Sequence, residues 1–198
     1  PIIVNSIIER YLHTIPRGSH VEVAFFGGSF TAIDRTLQIN YLRVVQPFIN
    51  QERVHSIRVS TRPDCIDAVG LDLLAAYGVK MIELGVQSLS DEVLQASARG
   101  YEAKDVFKSV HLIQEKGFDL GIQLMVGLPQ DTYTKDMATT RQVVSMQPQA
   151  VRIYPTLVIA GTGLDTLWKR GDYVPLSLEQ AIDICQNMFL LFQKDNIR

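Results

Sequence analysis

Val21-Glu22-Val23-Ala24-Phe25-Phe26-Gly27-Gly28 joins a run of β-forming residues to a pair of glycines, and the fold follows from how often that arrangement returns. The run predicts a strand that ends in a sharp turn. On its N-terminal side, Ile7, Ile8, Tyr11, Leu12 and Ile15 fall on one helical face, and Pro16 with Gly18 ends that helix. Pro16-Arg17-Gly18-Ser19-His20 resembles a tag remnant but lies between two elements, so it reads as a native turn.

On the C-terminal side the pattern repeats. A helix is expected over about 35–49, then a strand at Ser56-Ile57-Arg58-Val59-Ser60-Thr61, stopped by Pro63. Leu71, Leu74, Ala75 and Tyr77 mark a helix closing at Gly78, and Met81-Ile82-Glu83-Leu84-Gly85-Val86 is the third strand. Ser90 is placed to cap a short helix. A longer one carries Val106, Phe107, Val110 and Ile113 and stops at Gly117. The fourth strand is Leu120–Val126, a helix follows over about 134–146, and Ala150–Tyr154 is the fifth strand. In the last helix Leu178, Ala181, Ile182, Cys185, Met188, Phe189 and Phe192 recur at helical spacing, with Ser177 and Gln180 as a capping box. Helix, then strand–helix about five times over, implies parallel βα units in one domain spanning residues 1–198. A doubly wound sheet and a closed or partial barrel both fit that order.

The chain has 198 residues, 46% apolar and 20% charged, enough for a substantial core. A net charge of −2 gives no global basic field of the kind that marks nucleic-acid binders. Cys65 and Cys185 are the two cysteines, which argues against a disulfide framework and for a cytoplasmic setting. No stretch reads as a membrane span or a secretory signal. His13, His20, His55 and His111 are scattered rather than grouped like metal ligands, so no metal site is expected from them. Neither a Ser-His-Asp set, a Walker lysine nor a full dinucleotide fingerprint is present.

In parallel α/β folds ligands bind at the carboxyl ends of the strands. Gly27 and Gly28 let the backbone approach a ligand, and Ser29 and Thr31 add hydroxyls beside exposed N–H groups; a plain tight turn is the alternative. Ser60, Thr61, Arg62, Pro63 and Asp64 follow the second strand, either as ligand contacts or as an ordinary turn. Strand alternation points Glu83, Gly85 and Gln87 one way, and two polar side chains on an interior face need a reason. Gln123, within an apolar strand, needs buried partners, and Met125, Gly127 and Pro129 shape the exit of that strand. Arg99, in a connecting loop, is either a carboxylate partner or a solvated surface residue. Cys185 reads as packing.

Taken in order, these loops resemble the radical S-adenosylmethionine superfamily. Phe26-Gly27-Gly28-Ser29-Phe30-Thr31 resembles its Gly-Gly motif, while Gly85-Val86-Gln87-Ser88 and Gly127-Leu128-Pro129 are similar to segments of oxygen-independent coproporphyrinogen oxidases and of the Elongator catalytic subunit. Arg62-Pro63-Asp64, Glu83–Ser88, Ile153-Tyr154-Pro155-Thr156-Leu157-Val158-Ile159, Gly161-Thr162-Gly163-Leu164 and Leu167-Trp168-Lys169 resemble the Elongator type most. The likeness runs from Val21 to about Tyr173.

The resemblance implies an α/β partial TIM barrel of (β/α)6 type with its first strand missing. It implies S-adenosylmethionine as cofactor, with Gly27, Gly28 and Ser29 at the methionyl end. Ser60 stands where the coproporphyrinogen oxidases carry a glutamate, and Gln123 replaces their aspartate, so ribose recognition differs at both points. Gln87 and Arg99 match cofactor-contacting positions, Tyr154 lies near the adenine-side contact, and Arg62, Glu83 and Met125 complete the candidate set. No catalytic residue beyond the cofactor is implied.

The Cys-x-x-x-Cys-x-x-Cys loop that holds the family's [4Fe-4S] cluster is expected upstream of Pro1, and two distant cysteines do not replace it. The resemblance therefore implies an excised core, with the 5′-deoxyadenosyl radical made in the intact protein and a tRNA base as substrate. A coproporphyrinogen oxidase-like enzyme acting on a tetrapyrrole and a non-catalytic barrel or scaffold protein are the rival readings. An unpaired sheet edge predicts self-association.

Overall fold

The structure is a computed structural model that describes residues 2–198; Pro1, the residue at which the upstream loop was expected to join, lies outside the described residues. The helices are α1 (Ile2–Thr14), α2 (Arg35–Asn50), α3 (Ala68–Ala76), α4 (Asp91–Ala96), α5 (Ala103–Glu115), α6 (Tyr133–Ser145), α7 (Gly163–Arg170) and α8 (Leu178–Lys194). The strands are β1 (Glu22–Phe25), β2 (Ser56–Thr61), β3 (Val79–Gln87), β4 (Asp119–Val126) and β5 (Ala150–Pro155). Short 3-10 turns sit at Phe30–Ala32 and Pro63–Cys65.

The strands are hydrogen-bonded in chain order, β1-β2-β3-β4-β5. β1 pairs in parallel with β2 (Glu22 opposite Ser56, Phe25 opposite Val59), β2 with β3, and β4 with β5 (Gln123 opposite Arg152, Met125 opposite Tyr154). A doubly wound sheet reverses its strand order at a switch point, and none occurs here. The singly wound order of barrels is what remains.

The chain forms two compact units. The first runs up to Leu84 and takes in Ser109–Leu120; the second comprises Gly85–Lys108 and Gly121–Arg198. In the first, Leu42, Val45, Ile57, Val59, Leu71, Leu74, Ile82 and Ile113 are fully buried, each stabilising by about 1.5–3 kcal/mol. In the second, Val86, Val93, Val106, Ile122, Leu124, Val126 and Val143 fill the same role. Strand alternation is plain along β4: Ile122, Leu124 and Val126 are buried, while Gln123, Met125 and Gly127 keep partial access.

Several local expectations need correction. On α1, Ile8 and Leu12 are buried but Ile7 and Tyr11 are exposed, because a short amphipathic helix buries one row rather than a whole face. Phe107 on α5 is exposed for the same reason. Ser90 stands at the N-cap of α4 without a capping bond from its side chain; its hydroxyl neighbour Ser88 instead accepts from the Ser90 N–H at 3.2 Å. The buried row of α8 is Ile184, Met188 and Phe192, with Leu178, Ile182 and Phe189 exposed and Cys185 half-buried. Helix α7 has no counterpart among the expected elements. Its signals were present in the Thr162 cap, which accepts from the Asp165 N–H at 3.2 Å, and in Gly171, left-handed at φ 81°.

Candidate functional site

The first unit presents the Gly-Gly turn. Gly27 has φ 98°, a conformation that glycine alone adopts without strain. Gly28 is different: a Cβ there would meet nothing within 4 Å. No described neighbour requires a glycine at that position, which leaves open space beside the turn. Ser29 sits at the N-cap of the 3-10 turn with its side chain free of capping duty. Thr31, by contrast, spends its hydroxyl on Thr61 at 2.5 Å, and Gln38 Nε2 donates to the carbonyls of Thr31 and Ile33 at 3.2 and 2.8 Å. These bonds hold the turn against the end of β2.

Ser60 is half-buried on the same strand face as Arg58. Arg62 forms a two-pronged bond to Asp64, Nε to Oδ1 at 2.9 Å and Nη2 to Oδ2 at 2.7 Å, and this guanidinium holds the Asp64 carboxyl below its usual range. Glu83 is buried, at 2% exposure.

The second unit carries the other candidates. Gln87 closes β3 at φ 65°, a left-handed backbone unusual for a residue with a side chain. Tyr101 enforces it: its buried hydroxyl donates to the carbonyl oxygens of Gly85 and Val86 at 2.7 and 3.2 Å. Gln123 Nε2 donates to Gln87 Oε1 at 3.4 Å, so the two glutamines form a long amide–amide contact. Arg99 is half-buried, with Nη2 3.1 Å from Met125 Sδ, and its Nε is buried without a partner among the described residues. It is therefore not the solvated surface arginine of the alternative reading. Tyr154 is 41% exposed, with its hydroxyl 3.4 Å from Arg152 Nη1.

A cleft of about 390 Å³ lies against these residues in the second unit, lined by Arg99, Met125, Leu128, Pro129, Thr156 and Leu157 among others. Ser97 Oγ and Thr156 Oγ1, also on its lining, are buried and unpartnered. Buried polar groups left unsatisfied by protein call for a ligand or water. Sequence reasoning missed Tyr101, Ser97 and Thr156 because nothing in a single sequence shows which hydroxyls fold inward.

Just before the cleft-lining Leu128 stands Gly127, at φ 77°, where a Cβ would come within 2.6 Å of Leu176 Cδ1. Tyr173, 7% exposed, donates its hydroxyl to the Gly127 carbonyl at 2.7 Å. Only glycine fits that crossing.

The first unit offers an open Gly-Gly turn; the second offers a buried guanidinium N–H lacking an acceptor among the described residues, and an amide pair. An iron–sulfur cluster finds no ligand set among the described residues. Cys65 and Cys185 are both free, and burial pushes both thiols up, away from the thiolate a metal needs. No group of three His, Cys, Asp or Glu among the described residues is placed to hold a metal.

The profile of the radical SAM superfamily matches residues 3–142, and that of the radical SAM C-terminal domain matches 148–198. The tRNA uridine(34) acetyltransferase of Methanocaldococcus infernus is 28% identical over 184 residues, 83% of this chain and 34% of that protein. Elongator complex protein 3 of Bos taurus is 28% identical over 191 residues, 86% of this chain and 35% of that protein. The chain thus spans about a third of the length of these curated relatives.

Among solved structures, archaeal Methanocaldococcus infernus Elp3 with an N-terminal deletion matches with a TM-score of 0.83 at 26% identity, covering 93% of this chain and 48% of that one. The coproporphyrinogen III oxidase of Escherichia coli matches in fold, with a TM-score of 0.70 at 20% identity over 97% of this chain and 44% of that one. These likenesses show the partial TIM-barrel fold. By sequence and by fold, the chain belongs to the radical SAM superfamily.

Proposed function

We propose that this chain is the S-adenosylmethionine-binding core of an Elongator-like radical SAM enzyme that acts on a tRNA base. One observation carries the cofactor assignment: the buried Arg99 Nε that finds no acceptor, on the lining of the cleft beside Met125 and Thr156. A cation half withdrawn from water needs an anion, and a cofactor carboxylate supplies one.

In the first unit, the Gly27-Gly28 backbone and the Ser29 hydroxyl offer donors and acceptors to the amino-acid end of the cofactor. Ser60, Arg62 and Glu83 belong to the same assignment, with Arg62 first having to leave or share Asp64. In the second unit, Gln87 and Gln123 exchange their long mutual contact for ribose hydroxyls, and Met125 and Tyr154 supply apolar and aromatic surface to the base. When bound and reduced by one electron, S-adenosylmethionine supplies the radical chemistry on which the superfamily is built. The [4Fe-4S] cluster that goes with it has no ligand set among the described residues.

The tRNA substrate is supported by the names of the relatives, and the weak likeness to coproporphyrinogen oxidase beyond the fold gives a tetrapyrrole no comparable support. Two free cysteines fit a cytoplasmic setting, and no helix among the described residues is long and apolar enough to cross a membrane. The outer edge of β1 favours self-association.

Calorimetric titration of S-adenosylmethionine into the protein as its gene encodes it tests the reading. Saturable binding that Arg99→Ala weakens about tenfold or more is expected for loss of a charged hydrogen bond. A folded protein with no binding, or with binding indifferent to Arg99, contradicts it.

A further inference from the structure

Helix α4 closes in a turn that brings two polar side chains to the cleft of the second unit. The Ser97 N–H bonds back to the Val93 carbonyl, and the Ala98 and Arg99 N–H groups to the carbonyls of Gln95 and Leu94, each at 3.0 Å. That is the bond pattern of a helix ended by a left-handed residue, and here the left-handed residue is Ala98, at φ 51°. A Cβ makes this conformation costly, which is why glycine usually takes it. With the backbone turned this way, Ser97 and Arg99 both line the cleft.

Neither side chain is satisfied within the protein. A serine at a helix end ordinarily returns its hydroxyl to the carbonyl four residues back, but Ser97 Oγ is buried and finds no partner among the described residues. Arg99 Nη2 faces Met125 Sδ, a weak acceptor, at 3.1 Å, and Arg99 Nε is buried without an acceptor. The lining holds no Asp or Glu. It is mainly apolar, with Leu128, Pro129, Leu157, Leu164 and Leu167, and the hydroxyl of its Thr162 is spent on the Ile159 carbonyl at 2.7 Å. A neutral acceptor would leave the guanidinium charge uncompensated. A carboxylate, with two oxygens and a full negative charge, suits a cation and a hydroxyl presented by the same turn.

We propose that Ser97 is a ligand-contacting residue, its hydroxyl and the Arg99 guanidinium together donating to the carboxylate of S-adenosylmethionine, and that this pair makes the cleft select ligands that carry the carboxylate. The assignment rests on the cofactor reading and adds to it a residue that no motif above includes. A ligand without the carboxylate leaves both groups as unpaired as they are in the free protein, so its binding gains nothing from them.

Two ligands test this by calorimetric titration into the protein as its gene encodes it: S-adenosylmethionine, and decarboxylated S-adenosylmethionine, which keeps the sulfonium, the amine and the adenosine. Ser97→Ala is expected to weaken S-adenosylmethionine about tenfold, as for loss of a hydrogen bond to a charged group, and to change the affinity of the decarboxylated ligand by less than about twofold. Ser97→Thr, which keeps a hydroxyl, retains most of the affinity for S-adenosylmethionine. A second readout needs no ligand. A hydroxyl buried without a partner gives the free protein nothing, so the urea midpoint of ligand-free Ser97→Ala is expected to equal or exceed that of the wild type.

Equal weakening of both ligands by Ser97→Ala overturns the assignment, and so does a fall in the ligand-free midpoint, which would make the serine structural. S-adenosylmethionine binding that depends on Arg99 but not on Ser97 overturns this inference alone. A folded wild-type protein that binds neither ligand refutes the cofactor reading, and this assignment with it.

Discussion

The phenolic hydroxyl of Tyr173 donates to the carbonyl oxygen of Gly127 at 2.7 Å, across a separation of 46 residues. That bond fastens the segment ahead of α8 to the end of β4, at the point where the chain turns into the cleft. Removing the hydroxyl with Tyr173→Phe leaves a carbonyl short of its partner, and a loss of about 1–2 kcal/mol in denaturant unfolding is expected. An unchanged midpoint would mean that water replaces the phenol without loss.

Gly127 is constrained twice over, by its φ of 77° and by Leu176 Cδ1 at 2.6 Å from where a Cβ would stand. Gly127→Ala is expected to destabilise by about 2–3 kcal/mol. Adding Leu176→Ala relieves the overlap but not the backbone strain, so the double variant should be more stable than the sum of the two singles. Strict additivity, measured by urea unfolding of all four proteins, would place the cost wholly in the backbone.

Gly28 presents the opposite case, with open space on the side where a Cβ would project. Gly28→Val is expected to change stability by less than about 0.5 kcal/mol, yet to weaken S-adenosylmethionine binding by about tenfold or more. Equal affinity in wild type and variant would remove the ligand as the reason for that glycine.

Arg62 holds the Asp64 carboxyl below its usual range. A depressed carboxylate contributes stability that is present above the unfolded value of 3.8 and is lost as pH falls through the lower folded value. Arg62→Ala should therefore move the onset of acid unfolding upward. Both side chains keep substantial exposure, 43% and 32%, so the loss at neutral pH stays below about 0.5 kcal/mol. Thermal melts taken from neutral pH down to the acid transition check both parts.

How far the molecule could be read in advance differs from element to element. Strand β2 lies at Ser56–Thr61 residue for residue, because β-branched residues bounded by His55 and Pro63 leave little freedom. The Ser177–Gln180 capping box forms as expected. The buried face of α8 was misplaced, since Leu178, Ile182 and Phe189 are as apolar as Ile184, Met188 and Phe192 and periodicity alone cannot say which flank meets a neighbour. Strand order was open because a doubly wound sheet and a barrel share the same local pattern. Of the site, the Gly-Gly turn and the Gln87–Gln123 face were legible as polar groups at strand ends. The role of Tyr101 beside Gln87 was not, because it depends on a side chain meeting the backbone through the fold. Arg99 was the hardest to judge: a lone loop arginine reads as solvent-facing until Met125 is seen beneath it.

The measurement that bears most directly on the whole account is product analysis of the protein as its gene encodes it, reconstituted anaerobically with iron and sulfide and supplied with S-adenosylmethionine and a one-electron reductant. Formation of 5′-deoxyadenosine, diminished by Gly28→Val and by Arg99→Ala, is the predicted result. A folded protein that acquires an iron–sulfur cluster and binds S-adenosylmethionine, yet forms no 5′-deoxyadenosine with or without tRNA, would contradict it.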